Sequence, residues 1–521
     1  MRKGLLWIGI AILSVAFFIL FHRTQDSQVQ VKVFRTNLMQ EIIHFDPRIA
    51  DDSVSLQMSS LLFAGLTTLD KGKVELDLAQ FYSLSQDQKT YQFVLKESSW
   101  SDGSLITAED FEQSWKQYIQ EGFPASLKEM VSMIQHVKVL DEKTLEIQLH
   151  YPVAYFLQLL AHPTLFPVHQ TMRASRQITP LSIVCSGPYT LIHNDLDKIV
   201  LKKNHYFHNR DGLTLDGIHF SKIRDAHTAL ALFEKGEFDW LGSPLSDLPL
   251  DALPQLRQKG LLKSHPLLDT RFLYFNTQEY PFNNVHVRRA LTLAINRQAI
   301  IDDVLHNEDR PGLGYVPYAQ KLEHWHPFFQ DGDVIGAREH FKLALEELHL
   351  SAEEFPEITL SYNTSDQWRR VMQVIQEQWR QVLGIKVQIQ QADWPIHMDK
   401  LRRGLYQVAR CGRTADFNDS IAFLQQLLSF NAQNFCLWKN ERYDEILRKA
   451  QMLSSEEERI AYYEQAEQIL IDEMPLAPLI FPCAYTIQQD GVQGVEISPL
   501  YYAIFTHVQL DLFQKRSIEG P

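Results

Sequence analysis

Apolar positions alternate with polar ones over short stretches of this chain and recur at helical spacing over longer ones. That mixture predicts an α/β protein. Residues 29–33 (Val-Gln-Val-Lys-Val) alternate and predict a strand. Tyr91, Phe93 and Leu95 alternate likewise, as do Leu145, Ile147 and Leu149. The last set follows Val137-Lys-Val-Leu140 across an Asp-Glu-Lys turn, which predicts a β-hairpin. Between these runs, Thr107-Ala-Glu-Asp110 has the form of a helix N-cap with acidic residues in the first turn. Phe111, Trp115, Tyr118 and Ile119 then share one apolar face. Met130, Val131, Met133 and Ile134 also fall on one helical face, a pattern suited to core packing.

The second half has a different texture. Ile358 to Tyr362 reads as a strand, and Trp368 to Leu383 as a helix with Val371, Ile375, Trp379 and Val382 on one side. Gly384 sits where a left-handed residue ends helices, and Ile385, Val387 and Ile389 alternate in a new strand. Strand, helix and strand in close succession form a βαβ crossover, hence parallel pairing and mixed sheets overall. Further helices are predicted over Val285–Leu305 and Glu456–Glu473, the second stopped by Pro475.

Length and charge narrow the function. At roughly 150 residues per domain, 521 residues predict two to four domains. A formal charge of -14 excludes nucleic acid as a partner, since phosphates must be met by surplus Lys and Arg. Cys185, Cys411, Cys436 and Cys483 lie far apart without metal-ligand spacing, so a disulfide and four buried thiols both remain open. Arg2 and Lys3 precede an uncharged run from Leu5 to Phe21, the layout of an export signal long enough to span a bilayer. No small-residue cleavage site follows Phe17-Phe-Ile-Leu-Phe21, and no nearby cysteine offers a lipid site. Residues 1–29 are therefore expected to be an uncleaved anchor in preference to a cleaved export signal, and either places the body outside the cytoplasm.

Enzyme signatures are missing from the sequence: no G-x-S-x-G, no H-E-x-x-H, no phosphate loop and no G-x-G-x-x-G. His324-Trp-His326 lacks a third ligand at useful spacing, so neither metal nor cofactor is expected. The stretch with chemistry to offer is Val408-Ala-Arg-Cys-Gly-Arg-Thr-Ala-Asp416, which sets Arg410, Arg413 and Asp416 beside Gly412. One reading is a surface loop with an Arg–Asp pair worth under about 1 kcal/mol. The other is a site for a zwitterion, with a carboxylate for an ammonium and a guanidinium for a carboxylate. Gly412 would then let a ligand backbone come close.

Several motifs, taken in order, decide between these readings. They are Phe45-Asp-Pro47, Leu62-Phe-Ala-Gly-Leu66, Trp100-Ser-Asp-Gly-Ser104 with Thr107–Phe111, and Ser186-Gly-Pro-Tyr-Thr-Leu191. Phe282–Leu291, Tyr362-Asn-Thr-Ser-Asp366 and the Val408–Asp416 segment follow. In this order they resemble the bacterial oligopeptide-binding proteins, the peptide/nickel class of solute receptors for ABC importers. The resemblance implies a two-lobed periplasmic-binding-protein fold with an inserted domain. Lobe I would comprise residues 30–63, 167–268 and 482–521, the insert 64–166, and lobe II 269–481.

It further implies that Asp416 holds a peptide's α-ammonium and Arg410 meets its carboxylate. Gly412 would pair with the ligand main chain as an added strand, and Trp394 would wall a side-chain pocket. Departures from the family pattern stand at Arg413, in place of a tryptophan, and at Thr414, in place of a disulfide cysteine. Trp368 replaces a histidine, and a lysine serving another ligand length falls at Leu305. Gaining Arg413 suggests an extra ligand anion, for which a murein peptide would serve. The implied partners are a short peptide, an importer permease and, through residues 1–29, the membrane, with the chain itself a monomer. A peptide sensor without transport and a membrane-bound peptidase are the alternatives.

Overall fold

A computed structural model describes residues 31–50, 52–70, 73–120, 131–174, 182–320, 325–453 and 455–511. The described residues open with β1 (Val33–Asn37), whose start falls at the end of the predicted 29–33 run. The difference comes from pairing: Val33 to Asn37 lie parallel to Gly217–Ser221, which buries Phe34 and Asn37, whereas Val31 is exposed. The helix α1 (Ser53–Leu62) follows, with the Asp52 carboxylate accepting from the Val54 and Ser55 amides. A hairpin of β2 (Thr67–Asp70) and β3 (Lys73–Leu76) leads into β4 (Ala79–Leu84) and β5 (Thr90–Leu95).

Helix α2 (Ala108–Gln120) starts where its cap predicts, because the Asp110 carboxylate accepts from the Thr107 amide at 3.0 Å. Phe111 and Trp115 are buried as expected, and the Trp115 indole donates to the Leu165 carbonyl at 2.9 Å. The side chains of Tyr118 and Ile119, and all of Met130, lie outside the described residues. The helical face expected to include Ile134 is instead the start of β6 (Ile134–Asp141), since Ile134 pairs with Leu149 in the predicted hairpin with β7 (Thr144–Leu149). The antiparallel order β4-β5-β7-β6 buries Tyr91, Phe93, Leu145 and Ile147 on one face.

The chain then forms β8 (Tyr189–Asn194), β9 (Lys198–Lys203) and β10 (Gly217–Ser221), which with β1 make a second sheet ordered β1-β10-β9-β8. After β11 (Trp240–Gly242) and β12 (Lys263–Pro266), β13 (Asp269–Phe275) enters the largest sheet. The helix predicted over Val285–Leu305 is broken. Its first piece, α3 (Val285–Leu293), ends before Asn296, whose side chain accepts from the Ala299 amide and caps a new turn. A competing side-chain acceptor of this kind ends helices that periodicity alone would continue.

Beyond β14 (Arg310–Pro311) and α4 (Val334–Leu348) lies the predicted βαβ unit. It consists of β15 (Ile358–Asn363), α5 (Asp366–Leu383) and β16 (Val387–Ala392), with Leu360 opposite Ile389 in parallel register. Gly384 closes α5 at φ 74°, in the left-handed region. Val371, Ile375 and Trp379 are fully buried, and Val382 packs at the rim of that core. Helix α6 (Trp394–Arg402) and β17 (Val408–Thr414) follow, then α7 (Glu441–Gln451) and α8 (Glu456–Glu473), the latter with its predicted bounds.

Finally, β18 (Leu476–Phe481) and β19 (Cys483–Gln488) flank Pro482. The large mixed sheet is ordered β14-β18-β13-β17-β15-β16, and a three-stranded sheet is ordered β11-β19-β12. These two sheets are joined twice, from β12 to β13 through Leu267-Leu268 and from β18 to β19 through Pro482. The passages run side by side, with the Leu267 amide donating to the Pro482 carbonyl at 3.4 Å. All four cysteines are buried free thiols. Among the described residues no helix is long and apolar enough to cross a membrane, and the predicted anchor lies outside those residues.

Candidate functional site

Strand β17 carries most of the predicted site, and alternation sorts its residues onto two faces. Arg410, Gly412 and Thr414 stand opposite Leu273, Arg271 and Asp269 of β13 and share a face with them. The Arg410 guanidinium lies 4.1 Å over the Trp368 ring and donates to Asn363 Oδ1 at 3.0 Å. Its main-chain carbonyl accepts from His397 Nε2 at 2.8 Å. Only 6% of Arg410 is exposed, and its Nε has no hydrogen-bond partner. Burial, and then the like charge of Arg271, push its pKa down to about 9.

Asp269 lies at the other end of the same face and is 1% exposed. Its Oδ2 accepts from Arg271 at 2.7 Å and from Thr414 Oγ1 at 2.6 Å, while Oδ1 has no partner. Burial pushes the Asp269 carboxyl up, against the pull of Arg271 and Thr414. The Thr414–Asp269 bond ties β17 to β13 where the resemblance led us to expect no disulfide. Above Gly412 the space is filled by Arg271: a Cβ there would stand 2.5 Å from its guanidinium nitrogen.

The opposite face of β17 sends Ala409 and Cys411 into the core beside Phe272 and Tyr274. Arg413 ends that row. It donates from Nε to the Ala422 carbonyl at 3.2 Å and from its terminal nitrogen to Asp416 Oδ2 at 2.6 Å. Arg413 and Asp416 line a cavity of about 350 Å³, with Ser132 and Met133 on one side and Phe417 and Phe430 on another. Tyr155 also lines it and stacks on Phe417, with ring centres 4.3 Å apart and planes 5° apart. The Asp416 side chain is 34% exposed.

His162 and Tyr502 also feel the Asp416 charge. Burial lowers the His162 pKa while Asp416 opposes that shift, and the Tyr502 hydroxyl is pushed up by burial and then by Asp416. The two are 3.3 Å apart (Tyr502 hydroxyl to His162 Nε2). Both also line a larger space of about 610 Å³, walled by Phe63, Phe166 and Phe207 and lined by none of the six predicted ligand-binding residues.

The structure thus brings Arg410 together with Trp368, and Arg413 together with Asp416, on different faces of one strand. Trp394 heads α6 and is 49% exposed, near His397 and outside the cavity that Asp416 lines. Leu305 is buried in the core. Sequence reading passed over Asp269, Arg271, His162 and Tyr502. A signal for the first pair existed in Asp269-Thr-Arg271, charges at the head of the otherwise apolar run Phe272–Phe275. His162 and Tyr502 are brought together across 340 residues, with no local pattern to announce them.

Residues 73–435 match the profile of the Bacterial extracellular solute-binding proteins, family 5 Middle. The oligopeptide-binding protein OppA of Bacillus subtilis (strain 168) is 32% identical over 485 residues, covering 88% of this chain and 89% of OppA. This chain belongs to the family. A crystal structure of a periplasmic oligopeptide-binding protein, OppAIV from Borrelia burgdorferi, superposes with a TM-score of 0.79 at 28% identity, covering 92% of this chain and 100% of that one. The periplasmic murein peptide-binding protein MppA of Escherichia coli (strain K12) is 26% identical over 469 residues, covering 85% of this chain and 86% of MppA.

Members of this family are binding proteins with a two-lobed α/β fold, and they act outside the cytoplasm. For this solute-binding protein the murein alternative is not favoured. The cation expected to meet an extra ligand carboxylate, Arg413, is already bonded to Asp416 and to the Ala422 carbonyl. Among the described residues no group of three or more His, Cys, Asp and Glu side chains could hold a metal ion.

Proposed function

We propose that this protein captures short peptides between two lobes and delivers them to an ABC-type importer, performing no chemistry on them. The observation that carries this reading is Arg410. It is a buried guanidinium with an unmatched Nε on β17, and Asp416, two residues past the end of that strand, lines a cavity. A buried cation short of partners is costly until an anion reaches it, and a peptide carboxylate is such an anion. The relatives named for oligopeptide binding support the same ligand class.

In this reading, lobe I comprises residues 30–63, 167–268 and 482–521, the insert 64–166, and lobe II 269–481. The separate sheets β1-β10-β9-β8, β4-β5-β7-β6 and the six-stranded sheet support that division. The lobes close about the two passages at Leu267-Leu268 and Pro482. Asp416 receives the ligand's ammonium, Arg410 its carboxylate, and Trp368 holds the Arg410 plane in place. Trp394 would border a side-chain pocket from the rim. Residues 1–29 tether a monomer beside its permease and raise the local concentration there.

Mass spectrometry of ligand released from the purified protein tests the reading. Intact short peptides are expected. Cleaved fragments would indicate a hydrolase, and a non-peptide ligand would end the proposal. Peptide uptake that persists unchanged after deletion of the protein would leave a sensor rather than an importer component.

A further inference from the structure

The space of about 610 Å³ that His162 and Tyr502 line is larger than the cavity at Asp416, and peptide capture makes no use of it. Segments distant in sequence build it, among them the β2–β3 hairpin, Lys96 and Glu97, residues 207–213 and residues 498–507. Phe166, Phe207 and Leu500, all buried, and the half-buried Ile504 give it an apolar wall. Its size suits a drug-sized molecule. Its charge is one-sided. Asp70, Glu75, Asp77 and Glu97 line it, and among the described residues lining it Lys96 supplies the one ammonium or guanidinium group. Lys143 stands 3.6 Å from Glu97, and with it counted the carboxylates still lead four to two.

Two of these carboxylates face histidines. Asp77 Oδ1 lies 2.9 Å from His208 Nε2, and Asp70 Oδ1 lies 3.1 Å from His507 Nε2. A neutral imidazole that donates there leaves the carboxylate its charge. The Asp77 side chain is 13% exposed and that of His208 11%, so water screens this anion weakly. The Phe207 ring packs on His208, with centres 4.5 Å apart. Carboxylates beside aromatic and aliphatic walls favour an organic cation. An anion is repelled there, and a neutral molecule leaves the carboxylates without a counter-charge.

We propose that this space is a second ligand site, separate from the peptide site. It takes a lipophilic amine, with the ammonium group toward Asp70 and Asp77 and an aryl or alkyl body against Phe166, Phe207 and Ile504. The assignment does not depend on what binds at Asp416.

The test is calorimetric titration of the full-length protein in lipid nanodiscs, with empty nanodiscs as the reference. The probes are phenylbutylamine, phenylbutanol and phenylbutyrate, which share one apolar body. The amine is expected to bind about 10- to 100-fold more tightly than the alcohol, and the carboxylate least tightly of the three. Asp70→Asn and Asp77→Asn should each weaken the amine by about three- to tenfold and leave the alcohol unchanged. Ile504→Trp, which fills the space, should abolish amine binding. A mixture of tri-, tetra- and pentaalanine should leave the amine's Kd unchanged. An amine that binds no better than the alcohol, that keeps its affinity in all three variants, or that the alanine peptides displace overturns the inference. Should an aspartate variant not fold, Ile504→Trp and the three probes on the wild type decide. Amine binding as expected with no binding of the alanine peptides upholds this site independently of the peptide reading.

Discussion

Two buried arginines of this protein, Arg297 and Arg410, differ in how their guanidinium groups are used. Arg297 is 0% exposed and donates to the carbonyls of Pro478, Ile295 and Thr292 and to Asp331 Oδ1 at 3.1 Å. Its plane also lies 4.9 Å over the ring of Phe329. Arg410 is nearly as buried, yet it has one side-chain acceptor, one aromatic neighbour and an idle Nε. Both are pushed toward lower pKa by burial; in Arg297 the Asp331 carboxylate opposes that push, whereas in Arg410 a second arginine, Arg271, adds to it ahead of the smaller opposing pulls of Cys411 and Asp269. A satisfied buried cation cross-links the fold. An under-satisfied one holds donor capacity in reserve, which a ligand can use.

The largest test of this contrast is Arg297→Ala. It removes the buried guanidinium that faces Asp331 and bonds three carbonyls, and is expected to cost about 3–5 kcal/mol of stability, read by urea unfolding, with peptide affinity unchanged in the folded fraction. If affinity falls and stability holds, the contrast is reversed. Next comes a buried anion. Asp309 receives the Cys483 amide and the Tyr485 hydroxyl, each at 2.9 Å, and burial raises its pKa from 3.8 to about 6.

Because its folded value lies above its unfolded one, the stability it contributes is full below about pH 4 and is lost as pH rises through 6. Asp309→Asn should match wild type near pH 4 and exceed it by up to about 3 kcal/mol at pH 7, measured by unfolding across that range. A pH-independent difference would contradict this assignment. Arg410→Met should leave stability level or slightly higher while weakening peptide binding by about 1.5–3 kcal/mol, which calorimetry resolves. The smallest effect belongs to Gly412→Ala. Its new methyl displaces the flexible Arg271 side chain at a cost of about 1 kcal/mol, visible as a small shift in Tm.

Much of the fold could be read from periodicity where nothing competed with it. The β6–β7 hairpin and the β15-α5-β16 crossover formed as expected, since alternation, the Gly384 stop and the apolar face of α5 all agreed. Periodicity misled where a polar side chain intervened, as Asn296 did in the run after Val285, or where a partner strand drew the pairing along, as Gly217–Ser221 did for β1. In the site, Arg413 and Asp416 are three residues apart, so their pairing was legible as a local contact. The stacking of Arg410 on Trp368, by contrast, depends on how β17 packs against α5. Asp269 and Arg271 became site neighbours only through antiparallel register with Thr414 and Gly412, which no single stretch of sequence encodes.

The doubled connection at Leu267-Leu268 and Pro482 has a mechanical consequence. One strand crossing between two sheets would leave them free to swivel about it. A two-stranded ribbon, cross-bonded at Leu267 and Pro482, resists torsion and yields mainly by flexing across its width. In the proposed lobe closure the halves it joins would then behave like the boards of a book about its spine, so surfaces that part on opening would meet again in the same register.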